Sequence, residues 1–268
     1  MPSDKIVLNI DGDTKVPIKG FIAPIEYTLA NYHVEYEWNE LTNLRVAAPE
    51  KEYSTSIFRA FLPDEAVSVG TPWQIEQTGA LELLRQLHPN PHLDMRGYGD
   101  PGLWACLRAY TDKFADIVFR IHAEFKLGDG WFTPSQFTGH LIVNRSEETV
   151  SFFQMRVPEG PVNFEVGWQD EKSWDDSNWI MDTGFCAQME LRAGAEAVLQ
   201  DITTRLKSAM SSSTAVTQEE AERALNCQFY KSEQIDWVPM EVALELAQAQ
   251  QKPIHAISID GPLADETC

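Results

Sequence analysis

The chain has few cysteines and no long apolar run. The cysteines, spread over 268 residues at spacings that match neither a zinc ribbon nor a CxxC motif, are Cys106, Cys186, Cys227 and Cys268. A chain of this length can build a core without covalent cross-links, so a disulfide scaffold is not expected. The first three cysteines are instead predicted to be small buried residues. No stretch reaches the roughly 18 apolar residues that a transmembrane helix needs.

Basic residues are also scarce. Lys and Arg total 21 against 41 Asp and Glu, which gives a formal net charge of −20. A surface this acidic repels phosphate backbones and disfavours anionic membranes, so neither nucleic acid nor a lipid surface is expected as a partner. The opening residues, MPSDKIVLNIDGDT, lack the apolar stretch of a signal peptide. The sequence therefore predicts a soluble, cytoplasmic protein without a membrane segment, and leaves its oligomeric state open.

The apolar residues that are present, 43% of the chain with the tyrosines included, follow mostly the two-residue period of β-strands. The alternation is strict over residues 116–126, which are predicted to form one strand. Further strands are predicted over residues 5–10, 33–38, 56–62, 137–144, 150–157, 162–166 and 184–191, and an early helix over 73–88. Short connections between the later strands favour an antiparallel sheet.

From residue 195 onward the apolar period becomes helical. One helix is predicted after Ala195, a second from the capping box Thr217-Gln-Glu-Glu220, and a third over residues 239–250. A strand over residues 254–259 follows. The fold class predicted is α+β, with a β-rich antiparallel main domain and accompanying helices.

The last residues place a cysteine after a helix, a Lys252-Pro253 stop, a strand and a loop. Thioredoxin-like domains present their reactive cysteine in this way, at a helix N-terminus where the dipole favours thiolate. Residues 236–268 are therefore predicted to be a truncated thioredoxin-like segment that holds the first helix–strand unit of such a domain. On spacing alone, an ordinary terminal thiol is the simpler interpretation of Cys268.

Several blocks of the sequence resemble the selenoprotein N family. The most recognisable is WFTPSQFTGH at 131–140, preceded by FRIHAEFK at 119–126. The match continues through residues 152–158, 162–168, 182–191, 219–225, 252–255 and 265–268. The resemblance begins near residue 116, which divides the chain into a strand-rich N-terminal region with one helix (1–115), a selenoprotein N-like sheet with helices (116–235) and the thioredoxin-like segment (236–268).

In that family a selenocysteine directly follows the residue that matches Cys268. The resemblance implies a thiol–disulfide or peroxide-linked oxidoreductase that acts on protein thiols and disulfides, with no cofactor beyond the selenocysteine. The selenol would be the nucleophile, and Cys268 would close a selenenylsulfide that substrate thiols reopen. Because UGA encodes selenocysteine, we interpret the end of the sequence as an in-frame UGA; deliberate truncation is the alternative. Either way, this chain by itself is expected to have little activity.

Metal sites are not predicted. The vertebrate members of the family are endoplasmic-reticulum membrane proteins that carry an EF-hand. Here the loop that begins at Asn9 has Thr14 and Gly20 where an EF-hand requires Gly and Glu. Prolines separate His88 from His92, so these two cannot share a helical face as a zinc pair.

Four residues of the 131–140 block are candidates for a recognition surface near the redox residue: Trp131, Phe132, Gln136 and His140. Core packing is the alternative for the two aromatics. His122 and His140 could face each other across neighbouring strands, in a structural hydrogen-bonding role.

An aromatic and acidic stretch that contains Trp168, Trp174 and Trp179 could bind a sugar or a cation, or anchor a long loop to the sheet. The acidic surface and this stretch fit a second hypothesis for the whole chain. In that hypothesis the protein is a non-enzymatic protein- or ligand-binding module with a regulatory redox tail.

Overall fold

The computed structural model of the chain describes residues 5–10, 14–29, 36–93, 102–128, 130–169, 179–209, 214–229 and 237–256. The strands are β1 (Lys15–Ile22), β2 (Glu50–Ser54), β3 (Pro72–Gln74), β4 (Pro91–His92), β5 (Leu103–Tyr110), β6 (Phe114–Ile121), β7 (Glu124–Lys126), β8 (Gly130–Pro134), β9 (Phe137–Asn144), β10 (Thr149–Arg156), β11 (Phe164–Gln169), β12 (Trp179–Gly184) and β13 (Met189–Ala193). The helices are α1 (Tyr36–Thr42), a 3₁₀ helix (Thr55–Phe61), α2 (Gln77–Leu87), α3 (Glu196–Ala209), α4 (Gln218–Phe229) and α5 (Met240–Gln250).

The described strands form two antiparallel sheets. The larger has eight strands in the order β2-β1-β13-β10-β9-β6-β5-β3, and the smaller has five in the order β12-β11-β8-β7-β4. Strands that follow one another in sequence are neighbours in many of these pairs, as short connections favour. The α+β class and the antiparallel β-rich main domain are confirmed.

One face of the larger sheet packs on the 3₁₀ helix and α2. Phe61 of the 3₁₀ helix meets Phe119 of β6 edge to face, with ring centroids 4.9 Å apart. Phe58 meets Phe153 of β10 in the same way at 5.2 Å. Such aromatic pairs are worth about 0.5–1.5 kcal/mol each beyond the area that they bury. This aromatic layer is the centre of the hydrophobic core.

Helices α3 and α4 cover the opposite face. Ile202 of α3 clusters with Ile142 and Phe152 of the sheet. Ala221 and Leu225 of α4 cluster with Val118 of β6. Strand β6 is consequently buried on both faces, and its strict alternation reflects core on one side and a mixed polar and apolar helix contact on the other.

The predicted capping box starts α4. The backbone N–H of Glu220 donates to Oγ1 of Thr217 at 3.1 Å, and the N–H of Thr217 donates to Oε2 of Glu220 at 2.8 Å. Two otherwise unpaired backbone donors are thereby satisfied, which fixes where the helix begins. The first turn of α4 then lies over the sheet with Gln218 and Glu222 among the residues that line a cleft there.

The strands predicted over residues 137–144, 150–157 and 162–166 are confirmed to within a few residues. The strand predicted over 184–191 is wrong, because residues 185–188 connect β12 to β13.

The N-terminal strand predictions are also wrong. Residues 5–10 contribute only an isolated bridge between Ile6 and Val67. Residues 36–38 begin helix α1, while 33–35 lie outside the described residues. Residues 56–62 fall mostly in the 3₁₀ helix, because buried Thr55, Phe58 and Phe61 recur every three residues, which is the 3₁₀ period.

The single strand predicted over residues 116–126 is also wrong. Strand β6 ends at Ile121, and β7 begins at Glu124 in the other sheet. The N–H of His122 donates to the carbonyl of Gly102, so the chain leaves the β9 pairing and turns toward the smaller sheet. The predicted division of the chain after residue 115 falls within β6, and both sides contribute strands to the larger sheet; as a division of the sequence it stays a prediction.

Helix α5 matches its prediction, yet none of its residues is buried. Large apolar side chains on it are exposed, namely Met240, Val242, Leu244 and Leu246. Of the strand predicted over 254–259, residues 254–256 are described and are not in a strand, and the rest lie outside the described residues, as does Cys268. Among the helices that the structure describes, none has both the length and the apolar character needed to span a membrane.

Candidate functional site

Strand β5 places an arginine on the face of the larger sheet that α3 and α4 cover. The register against β6 shifts between Leu107 and Ala109, so one extra residue, Arg108, has no partner across the pair. Trp104 and Cys106 pack with the α4 cluster, so regular alternation already directs Arg108 to this face. The bulge brings Ala109 to the same side. Leu107 belongs to the main core cluster, whereas Arg108 reaches Asp116.

Asp116 is a fully buried carboxylate held by an arginine and a histidine side chain. Its Oδ2 accepts from Nε of Arg108 at 2.6 Å, and its Oδ1 lies 3.1 Å from Nδ1 of His140. Burial opposes ionisation, but the charge and hydrogen bonds of His140 and Arg108 outweigh it and hold the pKa of Asp116 below its ordinary value. Asp116 is therefore an acceptor at neutral pH, and Nδ1 of His140 must be the donor.

A second polar group lies beside the first. Nε of Arg120 donates to Oε1 of Gln136 at 2.8 Å, and Nη1 of Arg120 lies 3.6 Å from Oε2 of Glu222 on α4. Nε2 of Gln218 donates to Oε1 of Glu222 at 2.9 Å. The guanidinium of Arg120 on β6 therefore has two partners, the amide oxygen of Gln136 and the carboxylate of Glu222, as a buried cation requires.

These groups lie at a polar cleft of about 390 Å³ between the helices and the sheet. Its lining comprises Thr138, Gly139, His140, Gln154, Arg156, Glu196, Leu199, Gln218 and Glu222. A larger groove of about 680 Å³ crosses β1, β2 and β13. Its charged rim includes the solvent-exposed pair Lys19–Glu50. The smaller cleft is the better candidate site, because a histidine oriented by a buried carboxylate lies on its wall.

The structure separates the four predicted recognition residues into two groups. Gln136 and His140 belong to the polar groups just described. Trp131 and Phe132 lie in β8 of the smaller sheet, where both are buried. Phe132 contacts Phe164 with ring centroids 5.0 Å apart, the position that core packing predicts. A common recognition surface of all four stays a prediction.

His122 does not face His140. The residue opposite His140 in the β6–β9 pairing is Val118, and His122 lies past the end of β6. Burial, with a smaller contribution from the charge of Arg120, lowers the pKa of His122 to about 4. His122 is therefore a neutral buried ring at physiological pH.

The cysteines differ in burial. Cys106 and Cys186 are buried, as predicted, whereas Cys227 on α4 is only half-buried. Burial raises the pKa of the Cys106 thiol to about 12 and also raises the pKa of Cys186. Both are poor nucleophiles, since the reactive species is the thiolate.

Of the aromatic and acidic stretch, the structure describes mainly Trp168, which is buried in the core. Trp174 and its acidic neighbours, as well as the side chain of Trp179, lie outside the described residues.

Sequence reasoning missed Arg108, Asp116, Arg120 and Glu222. Asp116 and Arg120 were visible as charges on a strand whose other residues are mostly apolar. On an exposed strand face such charges are solvated, and only the presence of α4 above them makes them costly and paired.

Curated relatives match most of the chain. A mouse (Mus musculus) protein named Selenoprotein N is 30% identical over 269 aligned residues, which cover 83% of this chain and 48% of the relative. The zebrafish (Danio rerio) protein of that name is 32% identical over 236 residues, 80% of this chain and 42% of the relative. The human (Homo sapiens) protein is 30% identical over 83% of this chain and 45% of its own length.

No family model matches the chain. No solved structure matches it. The chain spans a little under half the length of the relatives that it matches. With identity of 30–32% sustained over at least 80% of its residues, the chain belongs to the selenoprotein N family.

Proposed function

We propose that this protein is a thiol–disulfide oxidoreductase, or a peroxide-linked one, in which Cys268 partners a selenocysteine encoded by the next codon. The observation that carries the proposal is the sustained similarity to relatives named Selenoprotein N, whose name itself specifies a selenium-containing protein. Protein thiols and disulfides are the proposed substrates. A selenol is ionised at neutral pH, which suits it to attack on disulfides and peroxides.

The proposed reaction is balanced with a selenol, the thiol of Cys268, a peroxide and two substrate thiols. The selenol attacks a peroxide and becomes a selenenic acid, with release of water. The thiol of Cys268 then displaces a second water and closes a selenenylsulfide. Two substrate thiols reopen that bond in sequence and leave as a disulfide, which restores selenol and thiol.

The internal cysteines support the choice of Cys268. Cys106 and Cys186 are buried and have raised pKa values, so neither supplies a thiolate at neutral pH. Their positions suit apolar packing, in which Cys106 contacts the α4 cluster.

Helix α5 supports the proposal that residues 236–268 begin a thioredoxin-like segment. Its apolar residues Met240, Val242, Leu244 and Leu246 point in several directions around the helix, and all are exposed. A helix that is apolar on most sides is normally buried within a domain core. We therefore propose that α5 packs against elements other than those that the structure describes.

The nucleotide sequence provides the first test. We expect an in-frame UGA after codon 268, then further coding sequence and a selenocysteine-insertion hairpin. A different stop codon would remove the basis for the selenocysteine.

The biochemical test uses the protein extended through that coding sequence. The reduced protein should consume peroxide and form a selenenylsulfide, detected by intact mass. Cys268→Ser should stop at the selenenic acid, whereas Cys227→Ser should behave like the parent. A selenocysteine form that reacts neither with peroxide nor with disulfides contradicts the proposed function.

A second candidate function is a ligand-binding module with a regulatory redox tail. The polar cleft of about 390 Å³ on the larger sheet favours it, because the volume lies within the range of small-molecule sites. Saturable ligand binding together with redox inertness of the extended protein would select this candidate.

A further inference from the structure

His140 is oriented in the cleft by a fully buried carboxylate. Asp116 has no exposed surface and its pKa is lowered, so it accepts the proton on Nδ1 of His140. In the neutral ring the other nitrogen, Nε2, then carries the lone pair and is an acceptor. The same arrangement of a buried Asp behind a His turns imidazole into a general base in hydrolytic enzymes. The His140 side chain retains 23% of its surface exposed, so a ligand in the cleft can reach it.

Glu222 supplies a second acceptor on the same cleft. Its Oε1 receives the amide of Gln218, but its Oε2 accepts no hydrogen bond from the described residues. Arg120 lies 3.6 Å from that oxygen, close enough to offset charge but too far for a hydrogen bond. Incomplete pairing of a carboxylate costs free energy, and because the Glu222 side chain lines the cleft and is 26% exposed, a ligand donor can reach the carboxylate and recover part of that cost.

Because His140 Nε2 and the carboxylate of Glu222 are both acceptors, a ligand that binds both must carry hydrogen-bond donors. The other charged groups at the cleft are already partnered within the protein: Arg108 with Asp116, Arg192 with Glu196, and Arg156 with Glu159. The formal net charge of −20 further favours a cationic ligand over an anionic one. The lining is polar except for Leu199, so an apolar ligand does not fit.

The acidity of the ligand's donor group limits the chemical class of ligand that can pass a proton to His140. A free imidazole has a pKa of about 6.5 and a free thiol about 8.5, so proton transfer between them is uphill by only about a factor of 100. Hydroxyl and ammonium protons are held far more tightly at neutral pH. A thiol is therefore the donor that loses its proton to imidazole most readily, and it is the donor that the proposed thiol–disulfide function requires.

We propose that the cleft between α3 and α4 binds a small polar aminothiol, with its S–H donating to Nε2 of His140 and its ammonium group donating to the carboxylate of Glu222. The inference rests on the proposed function, for which it names a substrate class. The thiol proton passes to Nε2, and the thiolate attacks a disulfide: a new S–S bond forms, the old one breaks, and the departing thiolate takes the proton from Nε2. No electrons beyond those of the disulfide are required.

The test uses cysteamine as the probe on the 268-residue chain carrying Cys268→Ser, so that no exchange at the chain end contributes. Amide resonances of Gly139 and Gln154 are followed by NMR without oxidant during titration. We expect saturable shifts in the millimolar range. S-methylcysteamine lacks the S–H and 2-mercaptoethanol lacks the ammonium group, and each should bind about tenfold more weakly.

Variants assign the contacts. His140→Gln should weaken cysteamine binding about tenfold and make S-methylcysteamine equivalent to cysteamine, while Glu222→Gln should make 2-mercaptoethanol equivalent to it. His92→Gln is the matched control, because His92 is an exposed histidine on the smaller sheet. Absence of shifts at these residues, equal binding of S-methylcysteamine to the parent chain, or undiminished binding by a folded His140→Gln variant each overturns the proposal.

If His140→Gln does not fold, the comparison of cysteamine with S-methylcysteamine on the parent chain still tests whether the S–H group contributes to binding. It also separates this inference from the proposed function. If cysteamine binds in the cleft but the extended protein shows no redox activity, the proposed function is wrong and the binding site is retained. If the extended protein is redox-active but cysteamine does not bind in the cleft, only the proposed binding site is wrong.

Discussion

Arg108 and Asp116 form an ion pair that is almost completely removed from solvent. Nη2 and Nε of Arg108 lie 2.5 and 2.6 Å from Oδ2 of Asp116, and the side chains are 5% and 0% exposed. Desolvation of two charges is costly, so removal of either partner leaves the other charge buried and incompletely compensated.

Arg108→Met should therefore destabilise the protein by about 3–5 kcal/mol. The carboxylate of Asp116 would keep only His140 as a partner. Urea unfolding followed by circular dichroism measures the loss. Lys19→Met is the control, since the Lys19–Glu50 pair is 81% and 73% exposed and should contribute less than about 1 kcal/mol. Equal effects of the two substitutions would show that the buried pair contributes no more to the free energy of unfolding than the exposed pair does.

Acid should destabilise the protein through His122. Its pKa falls from 6.5 to about 4 on folding, mainly through burial. Below pH 6.5 the unfolded chain takes up a proton that the folded chain refuses, so stability declines between pH 6.5 and 4, by roughly 3 kcal/mol in total. Asp116, whose pKa is also lowered, adds a loss only at lower pH.

The change in unfolding free energy between pH 7 and 4 contains this effect together with that of His88, whose pKa burial also lowers, so each variant is compared with the parent. His122→Gln should reduce the decline, whatever its effect on stability at pH 7. His92→Gln, at an exposed position, should leave the decline as it is. The prediction is wrong if both variants follow the parent.

Gly139→Ala should destabilise the sheet at the floor of the cleft. A Cβ at this position would overlap the carbonyl oxygen of Gln154 and the ring of Phe119. Both neighbours are fixed by pairing and core packing, so relief requires backbone movement that costs about 2–3 kcal/mol. Gly128→Ala is the control, because its Cβ would meet only the carboxylate of Glu40, at 3.3 Å. Thermal unfolding of the two variants gives the comparison.

The native protein should protect Cys106 and Cys186 from thiol reagents. Both are buried, and the pKa of Cys106 is raised to about 12, so the thiolate fraction near neutral pH is negligible. Labelling followed by peptide mass mapping should modify half-buried Cys227 well before either of them, and all three should react in denaturant. Early labelling of Cys106 would contradict its burial beneath α4.

Sequence periodicity predicted the regular parts of this fold well. The strand over 137–144 and the capping box at Thr217 and Glu220 agree with the structure, because each depends on local spacing alone. The pattern of residues 56–62 favours a strand only weakly, because a seven-residue stretch with five apolar residues does not by itself distinguish a strand from a short helix.

The candidate site was less predictable. His140 was named from the family resemblance, but its orientation depends on Asp116, which is 24 residues away in sequence. The contact of Arg108 with Asp116 depends on how β5 and β6 are paired, which neither strand's own residues specify. Tertiary features of this kind leave no periodic trace.

The two-sided burial of β6 has a consequence for hydrogen exchange. Amides of a strand covered on both faces exchange only through large-scale opening, whereas helices at the surface open locally at lower free energy. Asp116 and Arg120 lie on β6, and Glu222 lies on α4. The cleft therefore has a rigid floor beneath a layer that can separate from it, so ligand entry does not require the sheet to unfold.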